Sequence, residues 1–192
     1  EVLKDTIEEV EKKTGIQFEI KLEEQYAIVT AMGKNAHASR PDEGNNALTG
    51  MLVLLTHLPL ASCALTEKME SLLKLMPHGD TSGTALGIAM EDELSGDLTL
   101  AFSMLTISLT GFQGMFDSRC PICSTEENVL HVVKARMAEN GFTLLNDEMK
   151  EPHHVDGNSH FVQTLLRVYE EYTGLKGECQ STGGGTYVHH LK

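Results

Sequence analysis

A two-layer α+β sandwich, with helices covering one face of an antiparallel sheet, is the fold class this sequence predicts. Two observations carry it. The segments 16–22 and 26–32 place apolar residues at every second position and are separated by only three polar residues, Glu23-Glu24-Gln25, which is hairpin spacing. Segments of helical periodicity surround them, and the full order reads helix, strand, strand, helix, helix, strand, strand, helix, strand. No internal repeat or low-complexity tract competes with that reading.

Residues 1–14 carry Val2, Leu3, Ile7 and Val10 on one side, with Gly15 as the stop. No capping residue precedes them, so the chain is expected to be a piece whose preceding strand lies upstream. Ile16, Phe18, Ile20 and Leu22 alternate as one strand, and residues 26–32 form its partner. A polar loop follows. Asn45 or Asn46 is placed to cap the helix that runs from about 46 to 58. A second helix follows Thr66, with Met69, Leu72, Leu73 and Met76 as core fillers. Residues 98–109 and 114–119 predict two more strands. Ser124-Thr125-Glu126-Glu127 reads as a capping box ahead of a helix bearing Val129, Leu130, Val133 and Met137, stopped at Asn140-Gly141. Residues 142–145 are predicted as a closing strand. Around residues 151–158 the composition turns polar, which places a domain crossing there. Beyond it, Ser159 caps a helix to about 173 that buries Phe161, Val162, Leu165, Leu166 and Tyr169, and residues 178–182 are strand-like.

The chain has 192 residues, 41% of them hydrophobic and 22% charged, enough for a real core. Its formal charge of −13 argues against nucleic acid and anionic membrane as partners, since both select a basic face. No apolar run approaches the roughly 20 residues of a membrane span. Four scattered cysteines do not form a disulfide framework, so reduced thiols in a cytoplasm are expected. The C-x-x-C pair Cys120 and Cys123 has no second pair to complete a zinc site.

Three places could carry chemistry. His37 sits in a loop between a strand and a helix, where it either donates to an anionic group or is an idle surface histidine. Pro41 biases Arg40 away from helical geometry, which anchors that loop. Arg119 ends an apolar strand, and its guanidinium either grips a ligand carboxylate in two parallel hydrogen bonds or pairs with Asp117. Gly183-Gly184-Gly185-Thr186 exposes backbone N–H groups that either hold an anion or polarised carbonyl, or simply make a tight bend. His78-Gly79-Asp80 and His154-Val155-Asp156 have H-x-D spacing without further ligands nearby, so no metal ligand is assigned to the chain. No G-x-S-x-G or nucleotide-loop motif occurs.

The run Gly33 to Ala47, G-K-N-A-H-A-S-R-P-D-E-G-N-N-A, resembles the lid signature G-x-x-A-H-A-S-x-P-x-x-G-x-N-A of the zinc dipeptidase, aminoacylase and carnosinase family, most closely the PepV-type dipeptidases. The strand-end arginine with proline two residues on, Arg119 and Pro121, and the G-G-G-T-Y turn at 183–187 agree with that family in order and spacing. The resemblance implies that residues 1–150 form most of a ferredoxin-like lid and that 151–192 re-enter a truncated α/β catalytic domain. It implies that His37 hydrogen-bonds the oxyanion, that Arg119 binds the substrate's C-terminal carboxylate, and that Gly183, Gly184, Gly185 and Thr186 line the substrate pocket. Two Zn2+ ions, held by ligands outside the fragment, would act on a dipeptide, and the lid would mediate a homodimer. The fragment alone is then expected to be inactive. The alternative is a non-catalytic α+β interaction or dimerisation module.

Overall fold

Helix α1 (Val2–Thr14) stops where Gly15 takes the left-handed conformation, φ 69°, ψ 7°, and its N–H bonds the Glu11 carbonyl. The computed structural model describes residues 1–108 and 111–180. Strands β1 (Gln17–Leu22) and β2 (Ala27–Met32) then pair antiparallel in full register from Gln17 opposite Met32 to Leu22 opposite Ala27. A 3-10 turn, Pro41–Glu43, leads to α2 (Ala47–His57), whose cap is Asn46: its side-chain oxygen accepts the N–H groups of Leu48 and Thr49. Helix α3 is Ala64–Leu75. The short hairpin β3 (Glu91–Asp92) and β4 (Gly96–Asp97) precedes the long one, β5 (Thr99–Ser108) and β6 (Gly111–Arg119). A π-helical turn, Glu126–Leu130, runs on into α4 (His131–Glu139), and α5 is His160–Thr173.

The α+β class and the antiparallel pairing therefore stand, with the described strands pairing in twos. Two apolar clusters hold the helices to them. One joins Ile7 and Val10 of α1 to Val53 and Leu54 of α2, with Phe18, Ile20 and Val29 of the first hairpin packed on it. The other gathers Leu52, Met69, Leu72 and Leu75 with Leu100 and Phe102 of β5 and Val129, Val133 and Met137. Helix α2 contributes to both, which is why residues 47–58 are apolar nearly all round. Each fully buried leucine or isoleucine stabilises by about 1.5–3 kcal/mol. Among the described residues no helix is long and apolar enough to cross a membrane.

Four expectations need correction. Residues 142–145 form no strand: Phe142 instead packs edge-on against Phe112, centroids 6.4 Å apart, under the Lys68 ammonium 4.8 Å from its ring. Side-chain packing on the core accounts for the apolar Phe142 and Leu144 there. Residues 178–180 are not strand, and 181–182 lie outside the described residues. On α5 no side chain is buried among the described residues, and Phe161 and Leu165 are 51% and 52% exposed. An apolar stripe marks a face suited to burial, and the described residues do not cover this one. The capping box is also one residue later than expected, with Thr125 and Asn128 exchanging side-chain-to-backbone bonds.

Candidate functional site

β5 is the strand on which the candidate site is built. Its alternation faces Leu100 and Phe102 into the core, then changes phase at a bulge between Phe102 and Met104, so that Leu105 and Ile107 pack on the same core. Ser103, the extra residue, donates its hydroxyl to the Met115 carbonyl at 3.2 Å. Opposite residues of an antiparallel pair share a face. Thr99 is paired with Arg119 and Ala101 with Asp117, so these four stand on the face away from Leu100, Phe102, Phe116 and Ser118.

The His37 loop is fastened to this same strand. The Thr99 hydroxyl donates to the Ala38 carbonyl at 2.8 Å, and the Asn46 side-chain amide donates to the Phe102 carbonyl at 2.7 Å. Behind the loop, Lys34 and Asn45 exchange backbone hydrogen bonds at 2.9 and 2.8 Å, and the Asn45 amide reaches the Thr14 carbonyl at 3.0 Å. Gly33 opens the loop because the chain crosses itself there. A Cβ at residue 33 would run into the Asn45 carbonyl oxygen and sit 2.9 Å from the Ala47 nitrogen, both backbone atoms that cannot swing aside. Gly33→Ala is therefore expected to destabilise by about 1–3 kcal/mol, read as a lowered midpoint of thermal unfolding; an unchanged midpoint would refute the crossing.

Within the loop a turn closes with the Arg40 N–H donating to the His37 carbonyl at 2.9 Å. The Ser39 N–H donates to His37 Nδ1 at 3.2 Å, and the Ser39 hydroxyl lies 2.8 Å from the same atom. A ring nitrogen that receives a backbone N–H presents a lone pair, so the neutral imidazole carries its proton on Nε2. That N–H has no partner among the described residues, and the ring is exposed. The α2 N-terminus itself is not an open anion site, since Asn46 already occupies its first free N–H groups.

Of the two readings of Arg119, the pairing with Asp117 is present in the structure. Its Nη2 donates to Asp117 Oδ2 at 3.1 Å, while Nε lies 2.8 Å from Oδ1 without hydrogen-bond alignment, both atoms shielded from solvent. Nη1 has no partner among the described residues, so the guanidinium is oriented by Asp117 and still has donors to give. The backbone next to His37, at Ala38, and the strand position of Arg119 thus both meet Thr99.

His78, Asp80 and Asp156 of the H-x-D pairs make structural contacts. His78 lies 2.9 Å from the Thr49 hydroxyl through Nδ1 and 3.2 Å from the Thr14 carbonyl through Nε2, tying α1 to α2. Asp80 accepts the N–H groups of Ser82, Thr84 and Ala85, and Asp156 that of Asn158. Cys120 and Cys123 are free thiols, as are Cys63 and Cys179. Cys63, exposed at the start of α3, is held below the usual thiol range by the Thr66 N–H, the Thr66 hydroxyl and the Leu65 N–H. Among the described residues no group of three or more His, Cys, Asp or Glu side chains is placed to hold a metal ion. Residues 183–186 lie outside the described residues.

The chain is similar to known proteins over most of its length. It is 32% identical over 184 residues to the Beta-Ala-Xaa dipeptidase of Lactobacillus delbrueckii subsp. lactis, covering 92% of this chain and 37% of that protein. It is 31% identical over 182 residues to the provisionally named dipeptidase YtjP of Bacillus subtilis (strain 168), covering 94% and 38%. These relatives support a PepV-like dipeptidase family. A provisionally named dipeptidase of Staphylococcus epidermidis is 28% identical over 184 residues, again covering 94% of this chain and 38% of its own. The chain thus spans under two-fifths of the length of these PepV-like relatives. No protein-family model matches it.

Sequence reasoning missed Thr99 and the orienting side of Asp117. The signal for the first was present in the change of alternation phase after Phe102, which marks a bulge and fixes which side of β5 Thr99 occupies.

Proposed function

We propose that this chain is the substrate-gripping part of an enzyme that hydrolyses dipeptides. Arg119, oriented by Asp117, holds the C-terminal carboxylate of the substrate through its remaining guanidinium N–H groups. His37 donates its Nε2–H to the carbonyl oxygen that becomes negative as water adds to the peptide bond. The observation that supports this reading most is the common anchoring of both residues at Thr99, by a side-chain hydrogen bond on one side and strand pairing on the other. The dipeptidase names of the relatives point to the same substrate class.

In this reading residues 1–150 act as a lid, 151–192 return into a catalytic domain, and Gly183, Gly184, Gly185 and Thr186 line the substrate pocket. Zn2+ supplies a Lewis acid when bound. The described residues offer it no site. The charge of −13 and the free thiols suit a cytoplasmic protein with a small substrate. A homodimer through the lid, or a purely interacting module, is favoured by the exposed Met104 and Met115 on the outer face of the β5–β6 ribbon.

A full-length assay tests the reading. Dipeptides with a free C-terminal carboxylate are expected to be cleaved about 100-fold more efficiently than the same dipeptides amidated, the loss typical of one unpaired guanidinium. Equal cleavage of both, or of neither, would sink the assignment.

A further inference from the structure

We propose that Thr99 is a positioning residue that couples the His37 loop to the Arg119 strand end; the inference rests on the reading above and adds a residue to it. Three observations carry it. The Thr99 hydroxyl is a donor to the carbonyl of Ala38, the residue immediately after His37, at 2.8 Å. The two residues are 61 positions apart in the chain, so this bond is made by tertiary structure alone. Thr99 is also the residue paired with Arg119, at the end of the ribbon, where the opposed Cα atoms of such a pair lie about 4.5–5.5 Å apart.

The other attachments of the loop do not duplicate this one. The Lys34–Asn45 bridge and the Asn46–Phe102 bond hold its two ends. Between them, the turn at residues 37–40 is closed on itself by the Arg40 N–H, and Arg40 pairs with Glu43 only at an exposed 3.4 Å. Among the described residues, the bond from Thr99 is the hydrogen bond that ties the turn at 37–40 to the ribbon. Without it the imidazole keeps its tautomer, which Ser39 sets, and loses its distance from the guanidinium. A hydroxyl is required for that bond. The methyl group of the β-branched side chain is not.

Three variants of the full-length protein test this: Thr99→Val, which keeps the shape and removes the donor, Thr99→Ser, which restores it, and Thr99→Val combined with His37→Ala. Hydrogen exchange of the peptide covering residues 36–44 is expected to quicken about tenfold in Thr99→Val and return to within about twofold of the parent in Thr99→Ser, with residues 111–119 unchanged. Dipeptide turnover is expected to fall about 10- to 100-fold in Thr99→Val and to recover in Thr99→Ser. In the His37→Ala background Thr99→Val should cost little more, because the group it positions is gone. Unchanged exchange and turnover in Thr99→Val beside a damaged His37→Ala enzyme overturns the coupling alone. An undiminished Thr99→Val effect in the His37→Ala background also overturns it, by showing a structural role only. A His37→Ala enzyme with parental turnover overturns the site itself, and that failure is visible without any Thr99 variant.

Discussion

His37→Ala is expected to lower kcat of the full-length enzyme by about 100-fold or more while KM for the dipeptide changes little. The reason lies in which atom carries the proton. Ser39 gives its N–H to Nδ1 at 3.2 Å, which leaves Nε2–H as the free donor of the neutral ring. A donor aimed at the carbonyl oxygen gains strength as that oxygen takes on negative charge, so its loss is felt in the transition state more than in the bound substrate. Steady-state kinetics on one dipeptide series decides the matter. A drop within about threefold is too small for a lost oxyanion donor and would leave His37 without the role assigned to it. A rise in KM with unchanged kcat would move His37 to substrate binding instead.

The second large effect concerns Arg119. Replacing it with Met is expected to raise KM about 100-fold or more for dipeptides and to leave their C-terminal amides almost unaffected, since only the former present a charge to grip. Arg119→Lys should recover little, because an ammonium cannot reproduce two parallel N–H donors or the planar contact with Asp117. The pairing with Asp117 makes the measurement sharper, as a methionine there leaves Oδ1 shielded from solvent without its countercharge. Circular dichroism and thermal unfolding must therefore accompany the kinetics. Equal losses on dipeptide and amide, at unchanged stability, would show that Arg119 does not read the carboxylate.

Much of this fold was legible in the sequence, for local reasons. The first hairpin announced itself through strict alternation and a three-residue link, α1 through Gly15, and α2 through Asn46. Each is decided by a few neighbouring residues. The segment 142–145 was misread because its alternation is made by Phe142 packing on Phe112, 30 positions away, which no local pattern distinguishes from a strand. The α5 stripe was read correctly as amphipathic and wrongly as buried, because a periodicity identifies a face and says nothing of what lies against it.

For the site, the sequence supplied the residues and the structure supplied their relation. His37 and Arg119 are 82 positions apart, and what relates them is one threonine hydroxyl whose partner, Ala38, has no distinguishing side chain. A backbone carbonyl leaves no mark in a sequence. Arg119 carried two open readings, ligand or Asp117, and the geometry shows them to be compatible, with the carboxylate using one side of a group that has five donors.

The bulge at Ser103 has a consequence for how such a protein can diversify. Because Leu100, Phe102, Leu105 and Ile107 pack on the core while Thr99, Ala101, Asp117 and Arg119 stand on the other face, with the phase reset between them, changes on that outer face need no compensating change within the interior. The outer face is then free to drift from lineage to lineage while the scaffold beneath it stays the same, and under the proposed role of Arg119 that drift would change substrate preference.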